Sequence, residues 1–340
     1  MLKKKIWKKD ILWLCAIMFL MAFSACSSEP EAVPDETGGE DSAVVEPTPP
    51  APTELPTEPS DNDEEAEEVE EPFQPALAER QEITFETADG RTLEGFYYPS
   101  RLENAPVVVL MHWAPGTMDD WGEIAPWLQN RRDEMASGVD ELDVMVSRSV
   151  DEHDPWLDPS WFPVLPPETS FAVLTFNFGG RGNSQEGSGA EGLFNDALAA
   201  VAAASMLEGV DRDRITAAGA SIGSDGSVDG CQAFNASEEY EGTCLGAFSL
   251  SPGSYLNRDY GETVNLLRQE NPPKTVFCLA AASDGNSLET CLSAMGDHFE
   301  STAYEGSAHG MDLVAPNFSP GPLTRLLEFF QVVYGMTLIG

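Results

Sequence analysis

An apolar, β-prone run over residues 215–220 passes directly into Gly219-Ala220-Ser221-Ile222-Gly223. No other feature restricts the fold as much. A serine between two glycines at a strand end predicts a sharp strand-to-helix turn, because neighbouring backbones come too close there for a Cβ. Such a turn exposes the serine Oγ. It also leaves the Ile222 amide free to face charge developing on a nearby oxygen. The turn requires a sheet with helices packed against it, so the rest of the chain should supply both.

It does. Residues 107–112, 171–176, 245–250 and 275–281 are further apolar runs, as in strands buried on both faces. Residues 82–87 and 92–98 bracket the Asp89-Gly90 turn and predict an antiparallel hairpin. Residues 121–128, 193–207 and 288–295 are helical in pattern, 300–305 is extended, and 322–334 is an amphipathic closing helix. Alternating strands and helices predict an α/β class protein: a mainly parallel, doubly wound sheet, helices on both faces, and an antiparallel N-terminal hairpin. Residues 130–170 break the rhythm. They hold Trp156, Trp161 and three proline turns. A connection of this length either borders a functional site or packs as a surface loop with its tryptophans in core gaps.

Upstream lie two segments of different character. Residues 1–26 carry Lys3, Lys4, Lys5, Lys8 and Lys9, then an apolar run from Ile11 to Phe23, then Phe23-Ser24-Ala25-Cys26. The run is short for a membrane span and suits an export signal. Its end resembles a bacterial lipobox, which implies that Cys26 is acylated and holds the protein on an extracytoplasmic membrane surface as a lipoprotein. Residues 27–75 contain seventeen Asp/Glu, no Lys or Arg, and ten Pro. That composition predicts a disordered acidic, proline-rich tether. Residues 76–340 form the expected globular domain.

The formal charge of −40 argues against a nucleic-acid-binding protein, which needs a basic face. Export opens a disulfide-permissive compartment to Cys231, Cys244, Cys278 and Cys291. Of three possible pairings, the sequence-local pairs Cys231–Cys244 and Cys278–Cys291 are favoured. Reduced core cysteines are the alternative; no CxxC or HxxxH spacing supports zinc.

Serine needs a base to act as a nucleophile, and the chain has four histidines. His112 ends a strand, His153 lies in the long connection, and His298 follows a predicted helix. His309 sits in the small-residue loop Gly306-Ser307-Ala308-His309-Gly310, after a strand and before the last helix. Between Ser221 and His309, Asp284 follows the strand 275–281, at a strand end where α/β ligand chemistry collects. Asp259 and Asp297 are its rivals, while Asp225 and Asp229 lie too close to the serine in sequence.

With these residues the sequence resembles the α/β-hydrolase family, and more narrowly its dienelactone-hydrolase-like esterases and peptidase-like relatives, over roughly residues 82–335. Met111-His112-Trp113-Ala114-Pro115-Gly116 stands where the family has its oxyanion loop, with Trp113 in the usual glycine's place. Asn177 to Ser184 is similar to a structural turn after the fourth strand. The resemblance implies a catalytic Ser221–His309–Asp284 triad, with Trp113 and Ile222 amides as the oxyanion hole and His112 as a structural residue. It implies acyl transfer from a small-molecule ester to water, with no metal and no cofactor, by a protein expected to be a monomer. A peptidase, a lipase or a silent binding protein of the same fold are the alternatives. Residues 224–230 depart from the family, with two glycines and two aspartates where a firm helix is usual. Either small residues let that helix pack closely, or it starts late. An exposed acidic first turn would suit the helix dipole.

Overall fold

The structure is a computed structural model that describes residues 79–131 and 161–338. The expected signal and tether, with Cys26, His153 and Trp156, lie outside the described residues. Eight strands form one sheet: β1 (Gln81–Glu86), β2 (Thr92–Tyr98), β3 (Ala105–Met111), β4 (Ala172–Phe176), β5 (Val210–Ala220), β6 (Cys244–Leu250), β7 (Thr275–Ala281) and β8 (Phe299–Tyr304). Their spatial order is β1-β2-β4-β3-β5-β6-β7-β8. β1 pairs antiparallel with β2, and β2 antiparallel with β4; every later pairing is parallel.

All residues of β3, β4 and β7 are buried, which is why they read as unbroken apolar runs rather than alternating ones. Period-two side chains still divide between two cores. Val107, Val109 and Met111 face α2 (Gly189–Ala204), α3 (Ile222–Ala236), α4 (Tyr260–Gln269) and α5 (Ser287–Leu292). Val108 and Leu110 face α1 (Ile124–Leu128) and α6 (Pro322–Tyr334).

The expected helix over 121–128 is two pieces, a 3₁₀ turn at Met118–Trp121 and then α1. Gly122 and Glu123 separate them. The helix expected over 288–295 ends at Leu292, so His298 lies in the exposed turn before β8. α4 had no counterpart in the sequence reading. Its N-cap is Asp259, whose carboxylate accepts the Glu262 amide at 2.8 Å.

The segment 224–230 is helical from the outset, and its glycines allow close packing. A Cβ on Gly226 would lie 3.1 Å from Met111 Sδ and 3.2 Å from Ala197 Cβ; one on Gly230 would lie 3.0 Å from the Ala197 carbonyl oxygen. The close neighbour is therefore α2 as well as the sheet. The acidic first turn is not exposed. Asp225 and Asp229 are buried, because α3 is covered by the chain after β6 and by α4.

Both local cysteine pairs are disulfides, with Cα atoms 5.3 Å apart for Cys231–Cys244 and 5.7 Å for Cys278–Cys291. Bonds of this kind persist mainly in oxidising compartments. Of the long connection, residues 161–170 return along the core, with Phe162 and Leu165 buried and Trp127 Nε1 donating to the Pro163 carbonyl at 2.8 Å.

Candidate active site

The C-terminal ends of β3, β5, β6, β7 and β8 converge, as expected for an open parallel sheet. β5 ends one residue before Ser221, which has φ 52° and ψ −116°. A left-handed φ in a non-glycine residue is strained and survives only where its surroundings impose it. Here the flanking glycines remove the obstacle. A Cβ on Gly219 would overlap the Gly223 carbonyl, and one on Gly223 would overlap the Met111 carbonyl at the end of β3. Ile222 is the first residue of α3, so its N–H has no intrahelical acceptor.

His309 follows β8 and faces the serine. Its Nε2 lies 2.9 Å from Ser221 Oγ, and its Nδ1 lies 2.8 Å and 3.0 Å from the two Asp284 carboxylate oxygens. The carboxylate can accept only from a protonated Nδ1, which leaves Nε2 to accept the serine hydroxyl proton. Ser221 and Asp284 are both buried, while the imidazole is one-third exposed. The three predicted residues therefore share one hydrogen-bonded chain. Their rivals do not join it: Asp259 caps α4, and Asp297 offers its carbonyl to Arg268.

Trp113 stacks on His309, with ring centroids 6.4 Å apart and planes 29° apart. Its carbonyl accepts His112 Nδ1–H at 2.6 Å and the Gly116 amide at 3.1 Å, which turns the loop after β3. His112 is wholly buried, and its Nε2 accepts the Phe178 amide at 3.0 Å. Burial depresses its pKa to about 4, so it stays neutral and bridges two loops. The turn at 177–184 is held from β2: Glu94 accepts Asn177 Nδ2 and Asn183 Nδ2, each at 2.7 Å. Arg181 in turn donates to the Ala114 carbonyl.

Sequence reasoning missed Tyr255, in the loop after β6. Its hydroxyl is near enough to the Ser221 and Ser287 hydroxyls to interact with both, and Asp284 is near enough to act on it through charge. Burial raises its pKa first, and the Asp225 charge next, so it remains a neutral O–H donor. Ser251, in the same loop, accepts the Gly310 amide at 3.0 Å and so ties the loop to the residue after His309.

Strand order, the helices on both faces and the serine turn after β5 together define the α/β-hydrolase fold. No protein-family model matches the sequence, and no curated protein matches it. Among solved structures, the α/β hydrolase GrgF from Penicillium sp. sh18 is similar with a TM-score of 0.51 and 14% identity, over 76% of this chain and 100% of that one. A hypothetical protein from Pseudomonas aeruginosa gives 0.50 and 12%, over 77% and 95%. An esterase from Pyrococcus furiosus gives 0.47 and 14%, over 76% and 91%. Likeness at these identities is likeness of fold.

Proposed function

We propose that this protein is a serine hydrolase of carboxylesterase type that cleaves a small-molecule ester through an acyl-enzyme. The observation that carries the reading is the relay Ser221 Oγ–His309 Nε2 and His309 Nδ1–Asp284, at 2.9 Å and 2.8 Å. Ser221 Oγ attacks the ester carbonyl while His309 Nε2 takes its proton. The new oxyanion is held by the Trp113 and Ile222 amides, a contribution of about 3–4 kcal/mol per donor in other hydrolases. His309 then returns the proton to the leaving alcohol. Water repeats the attack on the acyl-enzyme, with His309 as base again. Asp284 keeps Nδ1 protonated and stabilises the imidazolium.

The N-terminal organisation belongs to the same proposal: a signal over 1–26, acylation at Cys26, a tether over 27–75 and a catalytic domain over 76–340. The disulfides support export.

Ser221→Ala should abolish hydrolysis of p-nitrophenyl acetate with the circular dichroism spectrum unchanged, and a fluorophosphonate should label the wild type at Ser221 alone. A folded wild type that takes no label is instead a binding protein on this fold, and an active Ser221→Ala variant sinks the assignment. Panels of amides and long-chain esters separate esterase from peptidase and lipase.

A further inference from the structure

The relay accounts for one side of Ser221, and the loop after β6 supplies another. Along that loop Ser251, Ser254 and Asn257 have φ of 58°, 57° and 57°. Asparagine enters this conformation readily, but serine holds it chiefly where neighbours impose it. Asp225, in the first turn of α3, is such a neighbour. Its carboxylate accepts the Gly253 amide at 3.2 Å and the Tyr255 amide through its other oxygen, and the Ser254 amide also acts on it. Asp225 lies four residues after Ser221 and is 2% exposed. The helical turn that presents the serine thus grips the loop that carries Tyr255. The Tyr255 ring folds back over Gly253, where a Cβ would overlap it.

We propose that Asp225 is a positioning residue that clamps 253–255, and that Tyr255 is a further catalytic residue donating its hydroxyl hydrogen bond to an oxygen of the tetrahedral centre formed at Ser221. The proposal rests on the serine-hydrolase reading. In the free protein, the Ser221 hydroxyl proton goes to His309, which leaves the Oγ lone pairs as acceptors. Tyr255 approaches this oxygen, and the other oxygens of the tetrahedral carbon come within a bond or two of the same point. A donor there acts alongside the oxyanion amides without replacing them. The clamp works against its own surroundings. Burial pushes the Asp225 carboxyl up to about 7, and Asp229, on the same helix, adds to the rise. Arg258 draws Asp229 back, and Tyr260 of α4 faces both carboxylates. An apolar or amide side chain would sit in this site more easily, but would leave the loop amides short of an acceptor.

Four variants test the idea. Tyr255→Phe should lower kcat for p-nitrophenyl acetate by about 10- to 100-fold, with KM within about two-fold. Asp225→Asn keeps the volume but turns an NH₂ toward one of the loop amides, and should reproduce the defect. Gly253→Ala leaves Asp225 intact and displaces the tyrosine ring, so it should do the same. Asp225→Asn/Tyr255→Phe should be no worse than the worse single variant within about two-fold, because one residue acts through the other. A Tyr255→Phe kcat within two-fold of wild type overturns the catalytic role, and multiplying defects overturn the clamp. Crystal structures of wild type and Asp225→Asn decide the clamp without activity: a Tyr255 hydroxyl displaced from Ser221 supports it, an unmoved one overturns it. If the wild type hydrolyses no ester and takes no fluorophosphonate, the hydrolase reading and the catalytic role of Tyr255 both fail, while these structures still judge the clamp.

Discussion

Replacing Asp225 by Asn should change how stability depends on pH, by an amount that follows from burial. The carboxyl is 2% exposed, and its pKa rises from 3.8 to about 7, chiefly through desolvation. Between these values the folded protein holds a proton that the unfolded chain has released. Stability from this group is therefore complete below pH 3.8 and is lost as pH rises through about 7. At about 1.4 kcal/mol per pH unit, a rise of about 3 units corresponds to about 4 kcal/mol in all, and the part between pH 5 and pH 8 to about 3 kcal/mol. Other groups overlap this window. Asp229, raised to about 6 by burial, has the same sign and finishes earlier. His112, lowered to about 4, has the opposite sign, because below pH 6.5 the unfolded ring takes up a proton that the folded ring refuses. Both remain in the variant, so the difference between variant and wild type reports Asp225 together with its coupling to Asp229. Urea unfolding at pH 5, 6, 7 and 8, with disulfides intact, should show that difference moving by about 3 kcal/mol in the variant's favour. A difference flat to within about 0.5 kcal/mol would refute the argument that burial governs this carboxyl.

Three further outcomes follow from the packing. Asp259→Ala should lower stability by about 1 kcal/mol through loss of the α4 cap and leave ester hydrolysis intact, whereas Asp284→Ala should lose most of it; unfolding midpoints and rates distinguish the two. Gly230→Ala should destabilise by about 1–3 kcal/mol, because its Cβ meets a carbonyl of α2 that cannot move alone, while Gly226→Ala, which meets side-chain atoms, should be close to neutral after its helix-propensity gain of about 1 kcal/mol; thermal melts test the order. Opening either disulfide by paired Cys→Ser replacement should cost about 3 kcal/mol, given the 13-residue separation in each case, and denaturant titration reads it.

Local signals carried much of the fold. β7 and α6 match the sequence reading residue for residue. β7 is an unbroken apolar run between turns, and α6 has proline at its first position and Gly335 in the left-handed conformation just past its end. The relay was legible for a similar reason: each member stands in a small-residue loop after its own strand. α4 was legible too, since Asp259 and Glu262 mark its start and Tyr260, Val264 and Leu267 repeat at helical spacing. It was missed because the helix is short and mostly polar. Tyr255 and the burial of Asp225 left no local trace. They depend on bonds between residues 28 and 30 positions apart, and an aspartate in the first turn of a helix ordinarily reads as exposed.

The disulfides also bear on how the chain reaches its fold. Each joins cysteines 13 residues apart, one linking α3 to β6 and the other β7 to α5. The crossed pairings Cys231–Cys278 and Cys244–Cys291 would each close a span of 47 residues, from 278 − 231 and 291 − 244. In an unfolded chain the shorter closure is favoured by about 1 kcal/mol per bond, or several-fold in encounter frequency. Native cysteines therefore meet more often than non-native ones before the sheet exists. In an oxidising compartment, the bonds that brace the Ser221 helix and the strand leading to Asp284 are also those that random encounter forms first.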